Sequence, residues 1–165
     1  MATVDNKQKL EKKIGEAVGL EMAAQKAVDE LSSKRLLDVG EMKSKLERMR
    51  KEANNHQMQL EQLAQKLSES EGLDTSNIQD TSKETEEKAS EIMKTYLGEN
   101  PDSSEAIEFL CLAEGGEVTH YEALSALALK KVKNKQLSNT VNSILREEKR
   151  HLQLCTRLAK QIAVS

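Results

Sequence analysis

The chain has 165 residues, of which 32% are charged, 37% hydrophobic and only 2% aromatic, with one Pro, seven Gly and no Trp. That length suits one domain with a single sizeable core. The scarcity of aromatic and β-branched residues disfavours a sandwich, a barrel or a dinucleotide-binding α/β fold. A formal charge of −3, with basic residues scattered along the chain, gives no basic stripe for nucleic acid, and no apolar run approaches the ~20 residues of a membrane span.

In chain order, four long helical segments are expected within one domain, residues 1–165. The first runs from about Asn6 to Leu31. The second starts at the cap-like Asp38 and runs to about Leu67, so the pair forms an antiparallel hairpin over 6–67. A polar crossover follows over 68–104, with one short helix expected at Lys83 to Leu97 before Gly98 and Pro101. The third segment opens on the Asp-Ser-Ser-Glu cap signal after Pro101 and runs to about Val132. The fourth starts at Asn134 and runs to about Ala163, closing a second hairpin over 105–163. Two hairpins joined by a long crossover are a bundle topology distinct from plain up-down-up-down.

The halves also resemble each other. A shift of 96 residues (117 − 21) aligns Gly19 with Gly115, Glu21 with Glu117, Leu31 with Leu127, Arg50 with Arg146 and Glu52 with Glu148, without a gap. We read this as a duplicated hairpin about a pseudo-two-fold axis. The Gly115–Gly116 pair suggests close helix packing or a kink near Glu117, and Gly19 at the matching place favours packing.

Core positions in a bundle recur at alternating steps of three and four. The first stripe reads Leu10, Ile14, Ala17, Glu21, Ala24, Val28, Leu31. The second is broader: Met42, Met49, Glu52, His56, Leu63, Leu67. The third reads Leu110, Ala113, Glu117, His120, Leu124, Leu127, and the fourth Val141, Ile144, Glu148, His151, Cys155, Leu158, Ile162. Each helix therefore carries a mid-stripe Glu, and all three histidines of the protein lie in the same stripes. Burying an ionised carboxylate costs several kcal/mol even after relaxation, and four of them would repel one another. A pair of divalent cations removes that cost, with Glu and His one turn apart on a helix face as ligands. The spacing agrees, since Glu21 to Glu52 (52 − 21) and Glu117 to Glu148 (148 − 117) are both 31 residues.

A Glu on one helix, a Glu with a nearby His on the next, and a repeat of that hairpin after a crossover resemble the ferritin-like superfamily. "Arg-Glu-Glu-Lys-Arg-His-Leu" at 146–152 is similar to the last metal-binding helix of its rubrerythrin-like members. The resemblance implies an all-α ferritin-like four-helix bundle. It implies two iron ions, or manganese or zinc in their place, held by Glu21, Glu52, His56, Glu117, His120, Glu148 and His151. In that pattern Glu21 and Glu52 are first- and second-helix carboxylates, Glu117 serves the third helix, and Glu148 with His151 forms the Glu-x-x-His of the fourth. The sequence departs from the pattern where Asn55 stands at the second helix's His position and His56 follows it. It departs again at His120, where the family often has Glu. No Cys-x-x-Cys module is present, because Cys111 and Cys155 are 44 residues apart (155 − 111), so electrons would come from an external donor.

The resemblance thus implies oxidase or peroxidase chemistry with O2 or peroxide in a stress-protective role. Two other readings remain open: iron storage or detoxification by an oligomer, and a metal-free helical interaction protein. A homodimer through outer helix faces fits the family. The polar N-terminal stretch and the two unpaired-looking cysteines are read as those of a cytoplasmic protein with reduced thiols. Tyr121 is assigned to interhelical packing in preference to a supporting or redox-active phenol beside the site, Glu122 and Glu147 to the solvated flank unless a rotated stripe makes either an alternate ligand, and Cys155 to core filling.

Overall fold

The computed structural model describes residues 2–165, and among them there is no strand. Five helices follow one another: α1 (Val4–Ser33), α2 (Met42–Glu71), α3 (Thr75–Leu97), α4 (Ser103–Leu127) and α5 (Lys135–Ala163). A π-helical turn, Ala128–Val132, extends α4.

Local chemistry sets most of the boundaries. Before α4, Asp102 Oδ1 accepts from the Glu105 amide at 2.8 Å while Glu105 Oε2 accepts from the Asp102 amide at 2.9 Å, a reciprocal capping box. Asn134 caps α5 by accepting from the Leu137 amide at 3.0 Å. Asp74 does the same for α3 through the Ser76 amide. At the end of α2, Gly72 adopts φ 73°, the left-handed geometry that lets the backbone leave a helix without a Cβ clash. Asp38 does not cap α2; it lies in the preceding turn, gripped by Arg35 Nε at 3.0 Å, and α2 starts at Met42.

The direction of each helix follows from its cross-contacts. Asp29 meets Arg50, Gln25 meets Gln57 and Glu21 meets His56, so α1 and α2 are antiparallel. Ser125 meets Asn142 and Glu122 meets Lys149, so α4 and α5 are antiparallel too. The crossover differs from expectation. It contains not a short helix at 83–97 but the full Thr75–Leu97 helix of 23 residues, about 34 Å long. That length carries the backbone along the bundle again, so α4 starts at the end where α2 began.

Helix α3 runs parallel to α1 and lies directly on its backbone. A Cβ built on Gly15 would fall 2.8 Å from the Ile78 carbonyl oxygen, and one on Gly19 would fall 2.5 Å from that of Ser82. The Gly15-x-x-x-Gly19 step is therefore a groove that only glycine leaves deep enough. The Gly115–Gly116 pair has no such role, because a Cβ at either position meets nothing within 4 Å. The glycines matched between the two halves thus differ in function.

The apolar core is divided in two. One cluster holds Leu10, Ile14, Leu60, Leu63, Leu124, Val141 and Ile144. The other holds Val28, Leu31, Met42, Leu46, Leu110, Cys155 and Leu158. Between them, at mid-height, lie buried Glu21, His56, Glu114, Glu117, Glu148 and His151.

Candidate metal centre

Four helices supply this polar layer: Glu21 from α1, His56 from α2, Glu114 and Glu117 from α4, and Glu148 and His151 from α5. Glu148 occupies the middle. His56 Nδ1 lies 2.8 Å from Glu148 Oε1 and 3.2 Å from Glu21 Oε1. His151 Nδ1 lies 3.6 Å from Glu148 Oε2 and 3.7 Å from Glu114 Oε2. Two triads result, Glu21–His56–Glu148 and Glu114–Glu148–His151, each with ligand atoms within 4.8 Å of one another. They share Glu148, one oxygen facing each side, which is the geometry of a bridging carboxylate.

The imidazoles are held from behind in a reciprocal manner. His151 of α5 has its outer nitrogen, Nε2, 3.0 Å from Glu52 Oε2 of α2. His56 of α2 has its Nε2 against Glu147 Oε2 of α5. A carboxylate can only accept, so each Nε2 donates outward; the inner Nδ1 atoms also face carboxylates, so the metal-free rings carry a proton there too, whose place a bound cation would take. Orientation of a ligating imidazole by a carboxylate on its far nitrogen also raises its basicity toward a metal. Tyr121, fully buried, donates to Glu21 Oε1 at 2.7 Å and fixes that carboxylate.

The layer is short of positive charge and of donors. Buried oxygens without a hydrogen-bond partner include Glu21 Oε2, Glu114 Oε2 and both oxygens of Glu117, and those of Glu148 face His56 and His151 without a well-directed bond. Native proteins rarely leave buried polar atoms unpaired, and each unpaired one costs about 1–3 kcal/mol or more if charged. The titration behaviour reflects the strain. Burial, together with the Glu148 charge, pushes Glu21 up to about 8. Burial and neighbouring carboxylates push Glu114 and Glu117 well above the ordinary range. Burial disfavours the charged form of His56, yet its contacts with Glu148, Glu21 and Glu147 raise it to about 11. Glu148 is the exception: burial would raise it, but His151 and His56 on either side hold it below the usual carboxylate range. Two divalent cations would neutralise the four buried carboxylates and leave both imidazoles neutral, so the residues present fit a two-metal site.

Of the seven residues singled out by sequence, Glu21, His56, Glu148 and His151 meet directly. Glu117 lies in the same layer, nearly fully buried. His56 rather than Asn55 faces inward, since Asn55 is exposed. Glu52 is half-buried and sits on the outer nitrogen of His151, where Arg48 Nε, 3.2 Å away, also holds it. His151, with Arg150 and Arg48, keeps its carboxyl below the ordinary value against the opposing effect of burial. His120 does not join the layer. Its Nε2 donates to the Lys13 carbonyl at 2.9 Å, and burial lowers its pKa.

Three participants lie outside the set expected from sequence: Glu114, Glu147 and Tyr121. The buried stripe of α4 reads Leu110, Glu114, Glu117, Tyr121, Leu124, not Leu110, Ala113, Glu117, His120, Leu124. Both sequences of steps satisfy a helical repeat, and hydrophobicity favours Ala113 over Glu114. The signal in the sequence is Glu114 itself, standing at i − 3 from Glu117 as Glu148 stands at i − 3 from His151. No family model, curated protein or solved structure matches this protein, so its function is argued from these residues.

Proposed function

We propose that this protein is a ferritin-like di-metal carboxylate protein, binding two iron ions and reacting with O2 or peroxide. The observation that carries the proposal is Glu148, shared between two Glu/His triads with one buried oxygen turned to each, beside Glu117, whose two buried oxygens have no hydrogen-bond partner. Two iron ions there would supply redox chemistry toward an oxidant. The protein's own groups have separable tasks. Glu148 joins the two halves of the site, and Glu21 with His56 and Glu114 with His151 complete them. Glu52 and Glu147 aim the imidazoles, Tyr121 steadies Glu21, and the apolar clusters above and below exclude water. Glu117 offers a further carboxylate on the α4 side. Electrons for turnover would come from a separate donor.

The test is anaerobic titration of EDTA-treated protein with Fe(II), followed by addition of peroxide. Saturable uptake of two irons per protein molecule and an oxidation band in the wild type, both lost in Glu148→Gln, are expected. Uptake absent in the wild type, or unchanged in Glu148→Gln, would sink the proposal in favour of a metal-free bundle. Light scattering separates storage from turnover, because a monomer or dimer rules out a cage.

A further inference from the structure

The two cysteines of the chain are 44 residues apart in sequence (155 − 111) yet meet in the fold. At the carboxylate layer, His151 of α5 lies 3.7 Å from Glu114 of α4. One helical turn further, three residues back along α4 and four residues on along antiparallel α5, stand Cys111 and Cys155. The same register holds toward the other end, where Ser125 meets Asn142 at 2.6 Å, 14 residues from Cys111 (125 − 111) and 13 from Cys155 (155 − 142). The two thiols are thus neighbours across the α4–α5 seam.

Their surroundings differ. Cys155 is fully buried in the apolar cluster with Leu110 and Leu158, its Sγ 3.8 Å from Met49 Sδ. Cys111 packs on the rim of that cluster and is only half-buried, so small solutes reach it first. The Cys155 thiol holds Cys111 down to about 7, with help from the Thr156 hydroxyl and against burial and the Glu108 charge, so a substantial fraction is thiolate at neutral pH. An accessible nucleophilic sulfur backed by a second, protected one is the arrangement of an attacking and a resolving thiol.

We propose that Cys111 and Cys155 are a peroxide-oxidised dithiol, Cys111 attacking the oxidant and Cys155 resolving it to a disulfide that ties α4 to α5. The Cys111 thiolate attacks one oxygen of hydrogen peroxide. The O–O bond breaks, and its electron pair leaves on the other oxygen, which takes up a proton and departs as water. The Cys155 sulfur then attacks the Cys111 sulfenic acid; the S–S bond forms, the S–O bond breaks, and hydroxide leaves with the Cys155 proton as a second water. In sum two thiols lose two electrons and two protons, and one peroxide becomes two waters. No metal enters these steps, so the inference stands apart from the di-metal reading, and a thiol reductant restores the pair.

The test is treatment of the full-length protein with a small molar excess of hydrogen peroxide, EDTA being present throughout, followed by tryptic peptide mapping. Expected are a peptide pair joined through Cys111 and Cys155 of one molecule, unchanged far-UV circular dichroism, and recovery of both free thiols with dithiothreitol. In Cys111→Ser, oxidation of Cys155 should slow at least tenfold. In Cys155→Ser, Cys111 should stop at the sulfenic acid, which dimedone traps. The wild-type map decides alone if either variant fails to fold. Both thiols surviving peroxide, or oxygen added at Cys111 without the link, overturns the proposal. A link found only between two molecules, or one that forms with loss of helix, overturns it equally, because the cysteines then do not meet within the fold. Iron uptake without the link removes this inference alone. The link without iron uptake keeps it and removes the di-metal reading.

Discussion

In its metal-free form this protein should favour mildly acidic over neutral pH, the reverse of the usual preference. In the folded metal-free state, Glu21 holds its proton up to about pH 8, whereas an unfolded carboxyl loses it near 4.5. Between those values the folded state binds more protons, so stability falls as pH rises. At about 1.4 kcal/mol per unit, the interval is worth several kcal/mol, an appreciable part of a small domain's stability. His56, raised from 6.5 to about 11, acts in the same direction at higher pH, but through the same contact with Glu21, so the two effects do not add. On the acid side Glu148 opposes them. Its depressed pKa gives stability that is present above 4.5 and lost as pH falls below it. Metal-free protein should therefore be most stable near pH 4.5–5 and weaken steadily toward pH 9. Metal binding requires deprotonated carboxylates and free Nδ1 atoms, so stabilisation by added metal should widen over the same range. The assay is urea denaturation of EDTA-treated protein at five pH values, followed by far-UV circular dichroism, with Glu21→Gln in parallel. The variant should flatten the alkaline slope. Stability that is flat or rising from pH 5.5 to 9 in the metal-free wild type would refute the reasoning.

Three further outcomes follow from particular contacts. Gly19→Ala drives a methyl group to 2.5 Å from the Ser82 carbonyl and should cost about 1–3 kcal/mol, whereas Gly115→Ala meets nothing and should gain up to about 1 kcal/mol; thermal melts that move the same way would contradict the α1–α3 contact. Tyr121→Phe removes the donor to Glu21 Oε1 and should lower stability by about 1–3 kcal/mol in urea, with an unchanged midpoint counting against that bond. Cys111, half-buried and lowered to about 7 by the neighbouring Cys155 thiol, should alkylate first at pH 7.5, while buried Cys155, raised by Cys111 and by burial, should label only on unfolding; peptide mass mapping reads the order.

The parts of the fold that were legible are those governed by short-range chemistry. Asp102 and Asn134 announce α4 and α5 because a cap is a contact between neighbours in the sequence. The stripe of α5 reads correctly from Val141 to Leu158 because both its apolar and its ionisable members face one side. Helix α3 was half-legible. Its interface with α1 is backbone laid into a glycine groove and needs few large apolar side chains, so its first turns carry little hydrophobic periodicity. In α4 the periodicity misled, because a buried Glu reads as a surface residue and Ala113 as core. The phase of that helix placed His120 inward when it turns to Lys13 instead.

By itself, then, the sequence determined an all-helical protein, its two hairpins, and a band of Glu and His at one height, because those depend on propensity, capping and period. Only the tertiary structure decided which nitrogen of each imidazole faces inward, that Glu52 and Glu147 stand behind the histidines, and that Glu114 shares a triad with Glu148. It also decided that Cys111 and Cys155 meet across α4 and α5. Such features depend on the rotation of each helix about its axis, which is fixed by packing against the other helices and leaves no local mark in the sequence.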